Sequence, residues 1–195
     1  MVTGVALVLA ALSLFFWNWR EDQNSGRSAE YILSKMIEQL ENDKKTPNDS
    51  KDSTAYPDPY NLEMTEVWID GYAYIGYLTI PVLDLELPVM SEWDYTRLKL
   101  SPCRYSGSTK TDDLVIAAHN YSNHFGILSE LSAEDKVYFT DMDGKKHSYA
   151  VQAIEVLSSD AVEEMTSGEF DLTLFTCTYG GQSRIVVRCI RTVEE

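Results

Sequence analysis

From residue 73 onward the chain breaks into short β-rich runs separated by turn residues, and this pattern restricts its fold more tightly than any other feature. The runs are residues 73–80, 85–90, 114–118, 136–140, 146–157, 171–176 and 184–191. Seven or eight such strands in one small domain predict a closed barrel or a two-sheet sandwich, since both arrangements protect strand edges. Asp143-Gly144 lies between two of the runs and predicts a hairpin with a type I′ turn, which needs positive φ at both central positions. Asp141-Met142-Asp143-Gly144 lacks the spacing and terminal Glu of a calcium loop, so it reads as a turn.

The N-terminus follows a different rule. Residues 2–19 (VTGVALVLAALSLFFWNW) contain no charged side chain. As a helix they would rise about 27 Å, just enough for the hydrocarbon core of a bilayer. Trp17 and Trp19 end the run, where indoles favour the membrane–water boundary, and Arg20-Glu21-Asp22 stops it. A cleaved signal peptide would want a basic start and a small-residue cleavage site, and neither is present. The expectation is an uncleaved single-pass anchor with the rest of the chain facing outward. Ser28 then reads as an N-cap, followed by Ile32, Met36 and Leu40 at helical spacing with Ile37 beside them. Residues 41–60 lose apolar periodicity and read as a flexible stalk, with Asp58-Pro59-Tyr60 as a turn within it. The expected organisation is therefore an anchor over 1–20, a helix and stalk over 21–60, and a β domain over 61–195.

Charge and cysteine content narrow the function. Sixteen Lys and Arg against 31 Asp and Glu give a net charge of −15, with no basic stripe, which excludes a nucleic-acid partner. Cys103, Cys177 and Cys189 are too few for a disulfide-dense fold and lack zinc-site spacing. An odd count leaves at least one thiol unpaired. Cys103 and Cys189 read as buried thiols, with a disulfide between them left open. His124 and His147 read as solvated loop and turn residues. No cofactor and no metal are expected, because His119, His124 and Cys177 find no further ligand at a recognised spacing.

Cys177 ends the apolar run Leu172-Thr173-Leu174-Phe175-Thr176, and a turn-rich loop separates it from Arg184. His119-Asn120 ends the apolar run Leu114-Val115-Ile116-Ala117-Ala118 in the same way. Strand ends of this kind can meet at one rim of a barrel. A cysteine nucleophile needs its thiolate and a nearby imidazole to handle protons. An acyl transfer also develops an oxyanion, which a permanently charged guanidinium can stabilise. Taken singly, each residue has an ordinary reading: a small buried hydrophobe, a surface imidazole, an edge-strand charge. The combination is what points to chemistry.

Thr173-Leu174-Phe175-Thr176-Cys177 resembles the Thr-Leu-x-Thr-Cys signature of the sortases, cysteine transpeptidases of Gram-positive bacteria. Arg184 falls where that family places its arginine, and Ala118-His119-Asn120 followed by Phe125-Gly126-Ile127-Leu128 is similar to its histidine segment. Gly76-Tyr77-Leu78-Thr79-Ile80-Pro81 with Leu87-Pro88-Val89 resembles its opening strands, so the likeness covers residues 73–193. The resemblance implies a mostly β, closed eight-stranded barrel with short helices. It also implies that Cys177 cleaves a Leu-Pro-x-Thr-Gly-like sorting signal of surface proteins after Thr, with His119 as acid and base and Arg184 on the oxyanion. Thr176 would touch substrate and Asn120, on the substrate-binding side with it, would support the histidine. An amine of a peptidoglycan precursor would resolve the acyl-enzyme. Ala118 replaces the usual Gly, the loop before Arg184 is short, and no second hydrophobic anchor follows Val193, which points away from the pilin-polymerising class. Rival readings are a papain- or caspase-like peptidase, an L,D-transpeptidase, or a non-catalytic membrane-tethered peptide-binding module. The first two lack their local cysteine signatures here.

Overall fold

The structure is a computed structural model that describes residues 2–45 and 62–193. Nine strands are described: β1 (Val67–Ile69), β2 (Tyr72–Ile80), β3 (Leu85–Met90), β4 (Cys103–Ser106), β5 (Leu114–Ala117), β6 (Lys136–Asp141), β7 (Lys146–Ser158), β8 (Leu172–Cys177) and β9 (Ser183–Arg191). Eight of them run β2-β3-β4-β5-β8-β9-β7-β6 and close back onto β2, while β1 pairs with β2 alone. The expected closed barrel is present, with all seven predicted runs as strands. Closure removes the exposed edges that would otherwise pair with other chains.

Closure depends on one glycine. β1 pairs with β2 at Tyr72–Tyr74, and β6 takes over the same edge from Gly76 to Thr79. Gly76 has φ 152°, and a Cβ there would lie 2.2 Å from the Thr140 carbonyl oxygen and 2.7 Å from Phe139 Cζ. Only a residue without a side chain lets the two backbones meet there.

β5, β8 and β9 explain their own sequences. Leu114, Ile116, Leu172, Leu174 and Val187 face the main core, together with Phe125, Leu128 and Phe139. The alternate residues Val115, Ala117, Phe175 and Val186 are buried on the other face against Met165. Met165 belongs to α2 (Val162–Met165), a single turn in the β7–β8 connection. Strands covered on both sides read as unbroken apolar runs, as these do. β5 and β8 pair in parallel, which sets their C-terminal ends side by side.

Three expectations need correction. Helix α1 (Val2–Lys45) is continuous, so Ser28 lies within it and not at a helix start. No proline interrupts residues 1–46, and the helix stops two residues before Pro47. Helical structure thus replaces the start of the expected stalk through Lys45, while residues 46–61, with Asp58-Pro59-Tyr60, lie outside the described residues. The docked stripe of α1 is Ala29, Ile32, Leu33 and Met36 with Leu40 partly covered, whereas Ile37 faces out. Lys35 Nζ donates to Asp70 at 3.0 Å at the edge of this contact. Towards its N-terminus α1 exposes Leu7, Leu9, Leu12, Phe15, Phe16 and Trp17. Among the described residues no helix is long and apolar enough to cross a membrane.

The second correction is the β6–β7 turn, where only Gly144 has positive φ (75°). Gly144 N–H donates to the Asp141 carbonyl and Asp141 N–H to that of Lys145, both at 3.0 Å. This is a three-residue loop with a left-handed Gly, in place of type I′. Asp141 selects it, because its Oδ1 also accepts from the backbone N–H groups of Asp143 and Lys145.

The third concerns the histidines. His124 and His147 are buried at 0% and 3% exposure. His147 Nδ1 lies 2.7 Å from Arg191 Nη1 and its Nε2 lies 2.7 Å from Asp141 Oδ2. A guanidinium only donates, so Nδ1 accepts and Nε2 donates to the carboxylate.

Candidate active site

Backbone pairing brings three strand ends together. Ala117 sits opposite Phe175 in the parallel β5–β8 pair. One residue further, Ala118 N–H donates to the Phe175 carbonyl at 3.2 Å, and Thr176 Oγ1 donates to the Ala118 carbonyl at 2.9 Å. His119 therefore leaves β5 beside Cys177 at the end of β8. Cys177 is in turn the cross-strand partner of Arg184 on β9.

Each side chain is held by local structure. After His119 the chain folds into a tight loop, with Phe125 N–H donating to the His119 carbonyl at 3.2 Å and Gly126 N–H to that of Tyr121 at 2.9 Å. A Cβ on Gly126 would lie 2.6 Å from the Asn120 carbonyl oxygen, so the close turn excludes a side chain. Phe125 and Leu128 root the loop in the barrel core. The Tyr121 ring lies 5.0 Å from that of His119, between centroids. On the other side, loop 178–183 turns tightly through Gly180 (φ 86°) and Gly181 (φ 72°). Arg184 Nη1 donates to the carbonyls of Gly181 and Ser183, each at 3.0 Å, so the short loop fixes the guanidinium.

His119, Cys177 and Arg184 line one groove of about 260 Å³. One wall is aromatic: Trp93 and Tyr105 centroids are 5.1 Å apart, Tyr105 and Phe175 5.2 Å, and Trp93 and Tyr95 5.9 Å. Another wall carries Val162 and Met165 of α2. Arg188 holds this wall from behind. It is 3% exposed and donates to the Met165 carbonyl (3.2 Å), the Glu164 carbonyl (2.7 Å) and Thr173 Oγ1 (3.2 Å), and pairs with Glu155 at 3.1 Å.

The expected site residues are thus sorted by geometry. His119, Cys177 and Arg184 converge. Thr176 lies along the groove, is 1% exposed, and donates its hydroxyl to the Ala118 carbonyl, which ties two strand ends together. Asn120 is half-buried and does not line the groove. The three cysteines separate as well. All are free thiols, and burial pushes Cys103 and Cys189 each up to about 12, whereas Cys177 is only half-buried. Among the described residues no group of three or more His, Cys, Asp or Glu is placed to hold a metal ion. The aromatic wall and α2 were not singled out in the sequence. The signal was available in Trp93-Asp94-Tyr95, since large aromatics in a loop often mark a binding surface.

A half-buried thiol with an imidazole and a guanidinium around one groove makes a cysteine-nucleophile type of site. A sortase domain model matches residues 78–192, more than half of the chain, and the protein belongs to the sortase family. Sortase A of Bacillus anthracis is 26% identical over 132 residues, covering 65% of this chain and 62% of that protein, so the match spans less than two thirds of its relative. Among solved structures, sortase C from Clostridium perfringens SM101 is 25% identical with a TM-score of 0.54, covering 83% of this chain and 90% of that one. A second Clostridium perfringens sortase C structure, determined with the C-terminal cell wall sorting motif, has a TM-score of 0.56 at 22% identity. It covers 84% of this chain and 91% of that one, and at this identity it speaks for the fold alone.

Proposed function

We propose that the protein is a membrane-anchored cysteine transpeptidase. It cleaves a Leu-Pro-x-Thr-Gly-like sorting signal after Thr and transfers the acyl group to an amine of a peptidoglycan precursor. The observation that carries this reading is the convergence of three strand ends: Cys177 opposite Arg184 across β8–β9, with His119 at the end of β5, all on one groove.

The Cys177 thiolate attacks the Thr carbonyl carbon, and the carbonyl electron pair moves onto oxygen. Arg184, held by two carbonyls, stabilises that oxyanion. Collapse breaks the Thr–Gly bond, and His119 gives its proton to the departing amine, leaving a thioester. His119 then takes a proton from the incoming amine as it attacks the thioester, and the thiolate leaves. Thr176 and Asn120 act on position, with Thr176 joining the β5 and β8 ends. The apolar turns of α1 exposed at Leu7 to Trp17, within a run free of charge from residue 2 to 19, support the single-pass anchor with the barrel outside the cell.

The test uses the full chain with a set of Leu-Pro-x-Thr-Gly peptides and either hydroxylamine or oligoglycine. Cleavage at a Thr–Gly bond, with the acyl group captured by the added amine and all turnover lost in Cys177→Ala, is the expected result. Equal cleavage by Cys177→Ala would sink the assignment.

A further inference from the structure

Helix α1 touches more than the outside of the barrel. Ala29 is 3% exposed and belongs to the same core cluster as Phe125 and Leu128, the two residues that root the His119 loop. One turn earlier, Gly26 packs on the loop itself. A Cβ there would lie 3.0 Å from Asn123 Nδ2 and 3.2 Å from Asn123 Cγ. From Asn123 the contacts continue inward. His124 N–H donates to the Tyr121 carbonyl at 3.0 Å, and the Tyr121 ring lies 5.6 Å from that of His124 and 5.0 Å from that of His119. The helix cannot back away cheaply, because Met36 further along is fully buried between Tyr74, Met90 and Cys103.

We propose that α1 is a positioning element for His119, acting through the close packing of Gly26 on Asn123. The helix sets one side of loop 119–127, and the loop holds the Tyr121 ring beside the imidazole. This rests on the acid–base role given to His119 above. A misplacement of a reacting group by about 1 Å can cost on the order of 100-fold in rate, so a contact this far from the thiol has leverage.

The test follows the thiol without needing the natural substrate. Cys177 in the full chain is alkylated with iodoacetamide across a pH series, in wild type, His119→Ala, Gly26→Val and the double variant Gly26→Val/Asn123→Gly. Valine suits a helix no worse than glycine, so the fold should survive, and thermal melting confirms it. A mild companion, Gly26→Ala, covers the case in which valine disrupts docking. The expected result is a pH profile for Gly26→Val displaced from wild type towards that of His119→Ala. Gly26→Ala should be displaced less, and removing the Asn123 side chain should restore the wild-type profile. A purely structural contact would lower the melting temperature and leave the profile in place. A wild-type profile in Gly26→Val, or failure of Asn123→Gly to restore it, overturns the proposal while leaving His119 in its role. A wild-type profile in His119→Ala overturns the role of His119 and the proposal together.

Discussion

Strand β9 opens with Arg184 and closes with Arg191, and each arginine has a histidine for company. At the Arg191 end Nη1 reaches His147 Nδ1 at 2.7 Å, Nε donates to Asp112 Oδ1 at 2.8 Å, and Nη2 donates to the Thr109 carbonyl at 3.0 Å. Its backbone N–H donates to Asp171 Oδ2 at 2.6 Å, while His147 is closed off by Asp141. At the Arg184 end two loop carbonyls hold the guanidinium, and a groove of about 260 Å³ lies in front of it. The residue types are nearly the same. What differs is access: one end is a clasp that fastens loop 108–113, the β6–β7 hairpin and β9 together, and the other leaves room for a substrate.

The thiols test this contrast most strongly. Burial pushes Cys103 and Cys189 up to about 12, so in native protein at neutral pH their alkylation should be roughly 10³-fold slower than that of an ordinary exposed thiol. Mass spectrometry after iodoacetamide treatment should find label on Cys177 alone, with all three labelled after denaturation. Arg184→Lys keeps the charge and loses the fixed fork, and should lower kcat by about 10²–10³-fold with little change in melting temperature. Peptide turnover combined with thermal melts separates those two effects.

Smaller effects belong to the clasp. His147→Ala leaves Asp141 and Arg191 facing a gap and should cost roughly 1–3 kcal/mol of stability, read from urea unfolding, while kcat stays near wild type. A large loss of kcat without a loss of stability would erase the distinction between the two ends. The smallest expected effect concerns acid. Burial pushes the Asp141 carboxyl up, but hydrogen bonds from His147, Lys145 and Asp143 outweigh it and hold the group below the ordinary carboxylate value. A carboxyl lowered on folding contributes stability above its unfolded value of about 3.9, and that stability is lost as pH falls through the folded one. Asp141→Asn should therefore flatten the fall of melting temperature on acidification below about pH 5, as measured by circular dichroism.

These contrasts explain what the sequence could reveal. β5, β8 and β9 were legible because burial on both faces writes continuous apolar runs, and the thiol and histidine at their ends followed. Cys103–Ser106 and Val67–Ile69 were not, since β4 carries Arg104 and Ser106 and β1 has three residues, too few for a period to register. His147 read as a turn residue because its burial comes from Arg191 and Asp141, and one of those partners is 44 residues away. The helical boundary placed at Ser28 failed for a related reason. A serine caps a helix only where the preceding residues leave it, and here they continue the same helix. Thr176 was expected to touch substrate, and only the three-dimensional pairing with Ala118 shows where its hydroxyl goes.

The parallel pairing of β5 with β8 has a consequence for the order in which the molecule comes into being. Ala118 and Thr176, the residues whose hydrogen bond joins the two strand ends, are separated by 58 positions, and Arg184 comes later still. Pairing over such a distance is slow to form, because the intervening chain must be gathered in first. During synthesis the segment bearing His119 emerges well before the thiol it faces. The groove is complete only when β9, the last strand among the described residues, slots between β7 and β8. A chain stalled before β9 would carry Cys177 without Arg184, or His119 without either, so the three side chains meet only once β9 is made.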